Sequence, residues 1–442
     1  MKSALLGFQH LLAMYAGAIL VPLIVGDAIG LTPKQLTYLV SIDIFMCGIA
    51  TLLQIMTNRF FGIGLPVVLG CTFTAVGPMI SIGAKYDVSA IYGSVIASGL
   101  IIVLISRYFG KLVRFFPPVV TGSVVTIIGV TLIPVAINNM AGGLDSPDFG
   151  STANVLLSFG TLISIILIYK FSTGFIRSIS ILLGLVAGTV AAIFMGVVDF
   201  TNVHEASMLH VVMPFKLGMP SFHFLPILTM TLVAMVSLVE STGTYFALSD
   251  ICEKEITKED LARGYRSEGL ASVIGGIFNA FPYTTFSQNV GLMQLSGVKS
   301  RKIIFITAIM LISLGLTPKI AAITTVIPTS VLGGAMVAMF GMVISQGIKM
   351  LSKVVSESQE NAMIIACSVG IGLGVSVVPD LFNMFPEEVQ ILTSNGIVTG
   401  SLTAIVLNIL FNMLPSKKKS KAAQAARDKE PEVVRLQGSS AN

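Results

Sequence analysis

Leu65-Pro66-Val67-Val68-Leu69-Gly70-Cys71-Thr72-Phe73-Thr74-Ala75-Val76-Gly77-Pro78 and Phe281-Pro282-Tyr283-Thr284-Thr285-Phe286-Ser287-Gln288-Asn289-Val290-Gly291-Leu292-Met293 decide the fold. Each stretch meets a proline at its start, runs through β-prone residues, turns polar and resumes as a helix. The polar turn comes at a matching distance from the proline, Pro66 to Thr72 and Pro282 to Gln288. Extended backbone is costly in hydrocarbon, because each unpaired N–H or C=O group loses several kcal/mol. The two pieces are therefore expected to pair with each other at mid-membrane. Each then hands over to a half-helix whose free N–H groups and positive dipole end face an electron-rich ligand. Two such broken segments at matching places in two halves mark an inverted-repeat secondary transporter.

The surrounding chain reads as membrane protein. Of 442 residues, 54% are hydrophobic and 11% charged, against about 25% charged in soluble domains, and the mean hydropathy is +0.89. Residues 5–25 form an apolar run longer than a signal-peptide core, with no small-residue cleavage site, and read as a retained first span. Cys47, Cys71, Cys252 and Cys367 show no metal-ligand or C-x-x-C spacing and read as inert thiols. The net charge of +5 belongs to membrane topology rather than to nucleic-acid binding.

Fourteen segments are expected, near residues 6–25, 35–56, 66–82, 88–108, 117–138, 153–170, 178–197, 224–249, 267–280, 283–296, 302–318, 323–347, 359–378 and 391–414. The fold class is thus an all-α polytopic membrane protein, built as two inverted seven-segment repeats with short paired strands in segments 3 and 10. With both termini in the cytoplasm, every Lys and Arg except Lys34, Lys85, Lys216 and Lys319 becomes cytoplasmic, including Lys111, Arg114 and the basic tail, as the positive-inside rule requires. Residues 253–266 read as a short cytoplasmic helix joining two bundles, with Thr257 and Asp260 at capping-box spacing.

Ionisable residues inside spans mark function or a specific partner. Glu240 lies mid-span among apolar neighbours, Glu268 opens the ninth segment, His10 sits in the first helix, and Asp43 in the second has no assigned role. Other classes are excluded by absence. His204-Glu205 has Met208 where a zinc-protease helix needs its second histidine, no metal cluster is spaced for ligation, and no phosphate loop is present to drive a nucleotide-fuelled pump. No nucleophile–base constellation suggests an enzyme.

The stretch Gln288-Asn289-Val290-Gly291-Leu292-Met293-Gln294-Leu295-Ser296-Gly297 resembles the signature of the nucleobase–ascorbate transporters, also called the nucleobase–cation symporter-2 family, with Ser296 replacing the usual Thr. Gly7-Phe8-Gln9-His10 in the first helix, Gly70-Cys71-Thr72-Phe73 in the third and Val239-Glu240-Ser241-Thr242-Gly243 in the eighth are similar to the same family. The resemblance, from residue 5 to about residue 414, is to the xanthine/uric acid permease branch. It implies a core domain (1–110 and 222–318, segments 1–4 and 8–11), a gate domain (111–200 and 319–414, segments 5–7 and 12–14), a cytoplasmic tail (415–442) and a homodimer in a bacterial-type inner membrane.

Carried over residue by residue, the resemblance implies that Glu240 bonds purine ring N–H groups and that the Gln288 amide pairs with a ring carbonyl and an adjacent N–H. The backbone amides of Phe73 and Ser287, beside Thr72, would meet substrate oxygens. Asn289 would tie the tenth segment to its neighbours, and Gly291 would permit close packing. Glu240, Glu268 and His10 would serve proton coupling, with H+ as the coupling ion and no cofactor. Uracil carriers of this family have a glutamate in place of Gln288, so uracil is disfavoured, and ascorbate carriers have a proline there. Thr244, one turn beyond Glu240, leaves both xanthine and uric acid open, with xanthine preferred. The expected mechanism is one proton entering with each purine. An anion exchanger or channel of the same fold is the reading from a different class.

Overall fold

The computed structural model describes residues 2–109, 115–144, 146–386, 390, 393 and 395–414. Lys111, Arg114 and the tail 415–442 lie outside the described residues. In chain order the elements are α1 (Lys2–Ala28), α2 (Pro33–Ile55), β1 (Leu69–Cys71), α3 (Val76–Lys85), α4 (Val88–Ile105), α5 (Pro118–Met140), α6 (Thr152–Phe171) and α7 (Ser180–Phe194). They continue with α8 (Phe224–Cys252), α9 (Lys258–Ile277), β2 (Tyr283–Thr285), α10 (Ser287–Ser296), α11 (Arg301–Gly315), α12 (Pro318–Thr325), α13 (Thr329–Leu351), α14 (Gln359–Val377) and α15 (Gly396–Asn408). Among the described residues, nine helices are long and apolar enough to cross a membrane unaided.

Local chemistry sets the helix ends. Thr32 and Gln35 close a capping box on α2, with Pro33 at its first position, where the missing N–H costs nothing. Thr257 and Asp260 do the same for α9. Burial works to raise the Asp260 carboxyl, but hydrogen bonds from Thr257 and the charge and bond of Arg263 outweigh it and hold the group below its ordinary value. Gly297 at φ 65° ends α10 in the left-handed conformation that glycine adopts freely.

Helix α9 corrects one expectation. The supposed joining helix and the ninth segment are one continuous helix, because nothing between Lys258 and Ile277 breaks it and its glycines pack closely on neighbours. A Cβ on Gly269 would meet the Gly99 carbonyl of α4 at 2.7 Å. A second correction concerns segments 302–318 and 323–347. They are three pieces, with α11 and α12 bent by 79° and α13 starting anew after Pro328. Pro318 and Pro328 stand at the starts of α12 and α13, positions where proline fits and a continuing helix does not. In the last segment Asn395 caps α15 at Gly396; the expected start at residue 391 lies outside the described residues.

The close helix pairs are α5 on α13, α4 on α9, α2 on α11 and α14 on α15, while α1 lies on α11 and α8 on α4. At the centre, β1 and β2 pair antiparallel, with Leu69 opposite Thr285, Gly70 opposite Thr284 and Cys71 opposite Tyr283. The expected strand pairing is therefore present. Its spacing differs from the expected match, however. After the strands, Phe73 opens a 3-10 turn (Phe73–Ala75) that leads into α3, and Ser287 opens α10, so Thr72 corresponds to Phe286 rather than to Gln288. The first proline stands farther from its strand than the second.

A two-stranded ladder leaves two open edges, which hydrocarbon does not tolerate. Hydroxyls from the flanking helices close them. Thr51 of α2 takes the Leu69 N–H at 3.0 Å, while Ser241 of α8 takes the Thr285 N–H at 3.4 Å. Ser272 of α9 meets the Tyr283 N–H at 3.5 Å. Backbone bonds extend the pairing beyond both ends, Thr72 N to Pro282 O and Phe286 N to Val68 O, each 3.0 Å.

Candidate binding site

The strand pair delivers two helix N-termini to the middle of the chain. The amides of Phe73 and Ser287 are the first of their helices and donate to no residue among those described, as first-turn amides do. Beside Ser287, Gln288 is exposed and its amide has no partner among the described residues. Glu240 is half-buried on α8, and its carboxylate likewise has no hydrogen-bond or ionic partner among them. Helix α8 packs against β2, α10 and the turn at Phe73, so these unsatisfied groups belong to neighbouring elements. The ring of Phe73 meets Phe340 of α13 edge-on, with centroids 6.2 Å apart.

Thr72 is placed differently. Its hydroxyl is buried, bonded to Thr74 at 2.7 Å and near Ser237 at 3.3 Å, and Thr74 bonds Ser237 at 2.6 Å. Thr72 thus holds the strand-to-helix turn against α8, one helical turn from Glu240. Asn289 and His10 are both buried and meet directly. The Asn289 amide nitrogen donates to the His10 carbonyl at 3.0 Å and lies 3.2 Å from its Nδ1. Ser296 makes only local bonds, at 3.4 Å to Met293 O and Val298 N.

Gly291 does not meet its expectation of close packing, since a Cβ there would find nothing within 4 Å. It lies one turn beyond Gln288 on the same helix face, and the lack of a side chain keeps the space beside that amide open. Close packing falls instead to Gly17 and Gly70, which clasp the Phe286 ring. A Cβ on Gly17 would lie 2.7 Å from Phe286 Cε1, and one on Gly70 would overlap the same ring.

Glu268 is 3% exposed and held at both oxygens. Ser241 Oγ lies 3.0 Å from Oε2, and the Tyr245 hydroxyl donates to Oε1, itself receiving the Gln54 amide. Asp43, without a role in the sequence reading, has one here. Its Oδ1 accepts from Tyr283 OH at 2.9 Å and from Phe281 N at 3.4 Å, anchoring the start of β2. A small cavity behind the strands is lined by Thr72, Ser98, Ser237, Ser272, Glu268 and Tyr283 among others. Of the expected residues it touches only Thr72 and Glu268. Gln54, Ser237, Ser241, Tyr245 and Tyr283 were not singled out from sequence. The available signal was their i, i+4 spacing, which puts Ser237, Ser241 and Tyr245 on one face of α8.

These features define a multi-pass membrane transporter fold in which a strand pair presents two helix N-termini and adjoining polar groups. The transmembrane domain of a cyanobacterial bicarbonate transporter, BicA, superposes with a TM-score of 0.63 at 17% identity, over 85% of this chain and 96% of that one. Murine Slc26a9, an anion transporter, does so with 0.62 at 11% identity, over 92% of this chain and 68% of the other. At such identities the likeness is one of fold. A model described as a permease family, the xanthine/uric acid permease group of nucleobase–ascorbate transporters, matches residues 1–381, and the chain belongs to that family. It is 64% identical over 418 residues to a xanthine permease of Bacillus subtilis, covering 95% of each chain. It is 65% identical over 407 residues to the uric acid permease PucK of the same species, covering 92% of this chain and 95% of that one. The Escherichia coli uric acid transporter UacT is 43% identical over 415 residues, covering 93% of this chain and 86% of that one. The chain is thus a permease, not an enzyme.

Proposed function

We propose that this chain imports a purine nucleobase, xanthine first, together with a proton across a bacterial-type plasma membrane. The observation that carries the reading is the set of unpartnered groups around the strand pair. Two first-turn amides, at Phe73 and Ser287, an exposed Gln288 amide and the Glu240 carboxylate have no hydrogen-bond partner among the described residues. Xanthine is flat and carries alternating N–H and C=O groups. A planar amide, both donor and acceptor, pairs with such an edge, a carboxylate takes ring N–H groups, and backbone donors take oxygens.

In this reading Glu268 is the proton site and His10, bound to Asn289, adjusts the substrate helix. Uric acid is the second reading, favoured by a PucK identity matching that of the xanthine permease. An anion carrier of the same fold is disfavoured by Glu240, whose negative charge would face the ligand.

The fourteen-segment, two-repeat layout is part of the proposal. It is supported by neighbour relations that survive a shift of seven segments. The pair α2 on α11 becomes α9 on α4, α1 on α11 becomes α8 on α4, and the strand pair and the pair α5 on α13 map onto themselves. Segments 1–4 and 8–11 pack mostly among themselves, as do segments 5–7 and 12–14, which favours a core domain moving against a gate domain; the homodimer and the cytoplasmic termini belong to the same proposal. Calorimetry on the purified protein tests the site. Xanthine is expected to bind the wild type, and Glu240→Gln and Gln288→Ala each to weaken binding at least tenfold. Unchanged affinity in both variants contradicts the assignment.

A further inference from the structure

Ser241 follows Glu240 in sequence, about 100° further round the helix, and lies in the contact between α8, α9 and β2. Its oxygen is fully buried and crowded. Glu268 Oε2 lies at 3.0 Å, Thr284 Oγ1 at 3.0 Å, Thr285 Oγ1 at 3.2 Å and Thr285 N at 3.4 Å. A hydroxyl has one hydrogen to give and two lone pairs to offer. Four partners exceed what it can satisfy at one time, unless the direction of its own O–H is chosen by something else.

Glu268 supplies that choice. As a carboxylate it only accepts, so Ser241 donates to it, and both lone pairs of Ser241 are free for the hydroxyl and N–H of Thr285. As a carboxylic acid protonated on Oε2, it donates instead. Ser241 must then turn its hydrogen to Thr284, and three donors compete for two lone pairs. The longest of them, the Thr285 N–H at 3.4 Å, is the one to be released. The other oxygen is a poorer place for the proton. Oε1 already receives the Tyr245 hydroxyl, which in turn receives the Gln54 amide, so a proton there would set two donors against each other in a buried site.

From these bonds we infer that Ser241 is the positioning residue that passes the protonation state of Glu268 to the substrate helix. The release of Thr285 loosens the outer edge of β2. Phe286, Ser287 and Gln288 follow directly, so the change reaches the amides and side chain proposed to hold the purine. No covalent bond changes, and the proton stays on Glu268 while the Ser241 hydrogen rotates. The other ionisable groups facing Glu268 are Tyr245 and Glu240 from α8 and Tyr265 on its own helix. Tyr283 of β2 and Ser98 of α4 line the same cavity, and Gln54 of α2 reaches Glu268 through the Tyr245 hydroxyl; neither Ser98 nor Gln54 titrates.

The inference rests on the proposed proton coupling, and the test separates the two. Proteoliposomes holding the wild type, Ser241→Ala, Ser241→Thr and Thr284→Val are assayed with radiolabelled xanthine in two ways: accumulation driven by an inward proton gradient, and equilibrium counterflow without one. Ser241→Ala is expected to retain counterflow within about threefold while losing at least tenfold in gradient-driven accumulation and flattening its pH profile. Ser241→Thr, which keeps the hydroxyl, should restore accumulation. Thr284→Val removes the alternative acceptor and should resemble Ser241→Ala, so it decides the matter if that variant folds poorly. A Ser241→Ala or Thr284→Val protein that still accumulates xanthine like the wild type overturns the inference alone. A wild type that shows counterflow but no gradient-driven accumulation overturns the coupling beneath it.

Discussion

The side-chain amide of Asn289 reaches back to the first helix and donates to the carbonyl of His10 at 3.0 Å. This bond ties α10 to α1 in a buried place, and the Asn289 Oδ1 atom has no hydrogen-bond partner among the described residues. Replacing Asn289 by Ala strands a buried carbonyl and the His10 ring, a loss of about 1–3 kcal/mol. The melting temperature in detergent is expected to fall by several degrees, and transport with it. An unchanged melting temperature would show that the tie is not structural.

Phe286 fills the space that Gly17 and Gly70 leave vacant. Gly70→Ala drives a methyl group into that ring, and overpacking of this kind costs about 1–3 kcal/mol. Xanthine uptake is expected to fall at least tenfold, and the double variant Gly70→Ala/Phe286→Leu to recover part of it. Radiolabel uptake at matched expression measures both.

Glu240 and Gln288 are predicted to act on the same ligand. Each single change, Glu240→Gln or Gln288→Glu, should raise the half-saturation concentration for xanthine by an order of magnitude or more. Combined, they should cost less than the sum of the two, since residues sharing a ligand are not additive. Full additivity in a double-mutant cycle would place the two residues at separate sites.

At the cytoplasmic end proposed for α9, Thr257→Ala removes a cap with a cost of about 1 kcal/mol. Asp260, its capping-box partner, is held below its ordinary carboxyl value by the bonds from Thr257 and Arg263. A group depressed in this way stabilises the fold above its unfolded value, and that contribution is lost as pH falls through the folded one. The difference between wild type and Thr257→Ala should therefore be full at neutral pH and shrink below about pH 4, as chemical denaturation at several pH values would read.

The strand pair was legible because proline, β-prone residues and a polar turn recur in two otherwise apolar stretches, and lipid leaves such backbone few solutions. Glu240 and Glu268 stood out for the same reason, as charges in apolar runs. The hydroxyl network around Ser241 was not legible. A serine or threonine in a helix can equally well bond its own backbone four residues back, as Thr242 does to Leu238 O at 2.7 Å. Only the packing of α8 on α9 and β2 shows that Ser241 does otherwise. Asp43 was visible as an anomaly, but its partner Tyr283 lies far along the chain, so pairing had to come from the fold. The continuity of α9 is not legible because its first half is charged and its second half small and apolar, which reads as two pieces.

The most direct measurement is uptake of radiolabelled xanthine into proteoliposomes, with and without an inward proton gradient, against unlabelled uric acid and uracil as competitors. Gradient-stimulated uptake, blocked more weakly by uric acid and not at all by uracil, is the predicted result. Absence of purine uptake, or uptake indifferent to the gradient, would contradict it.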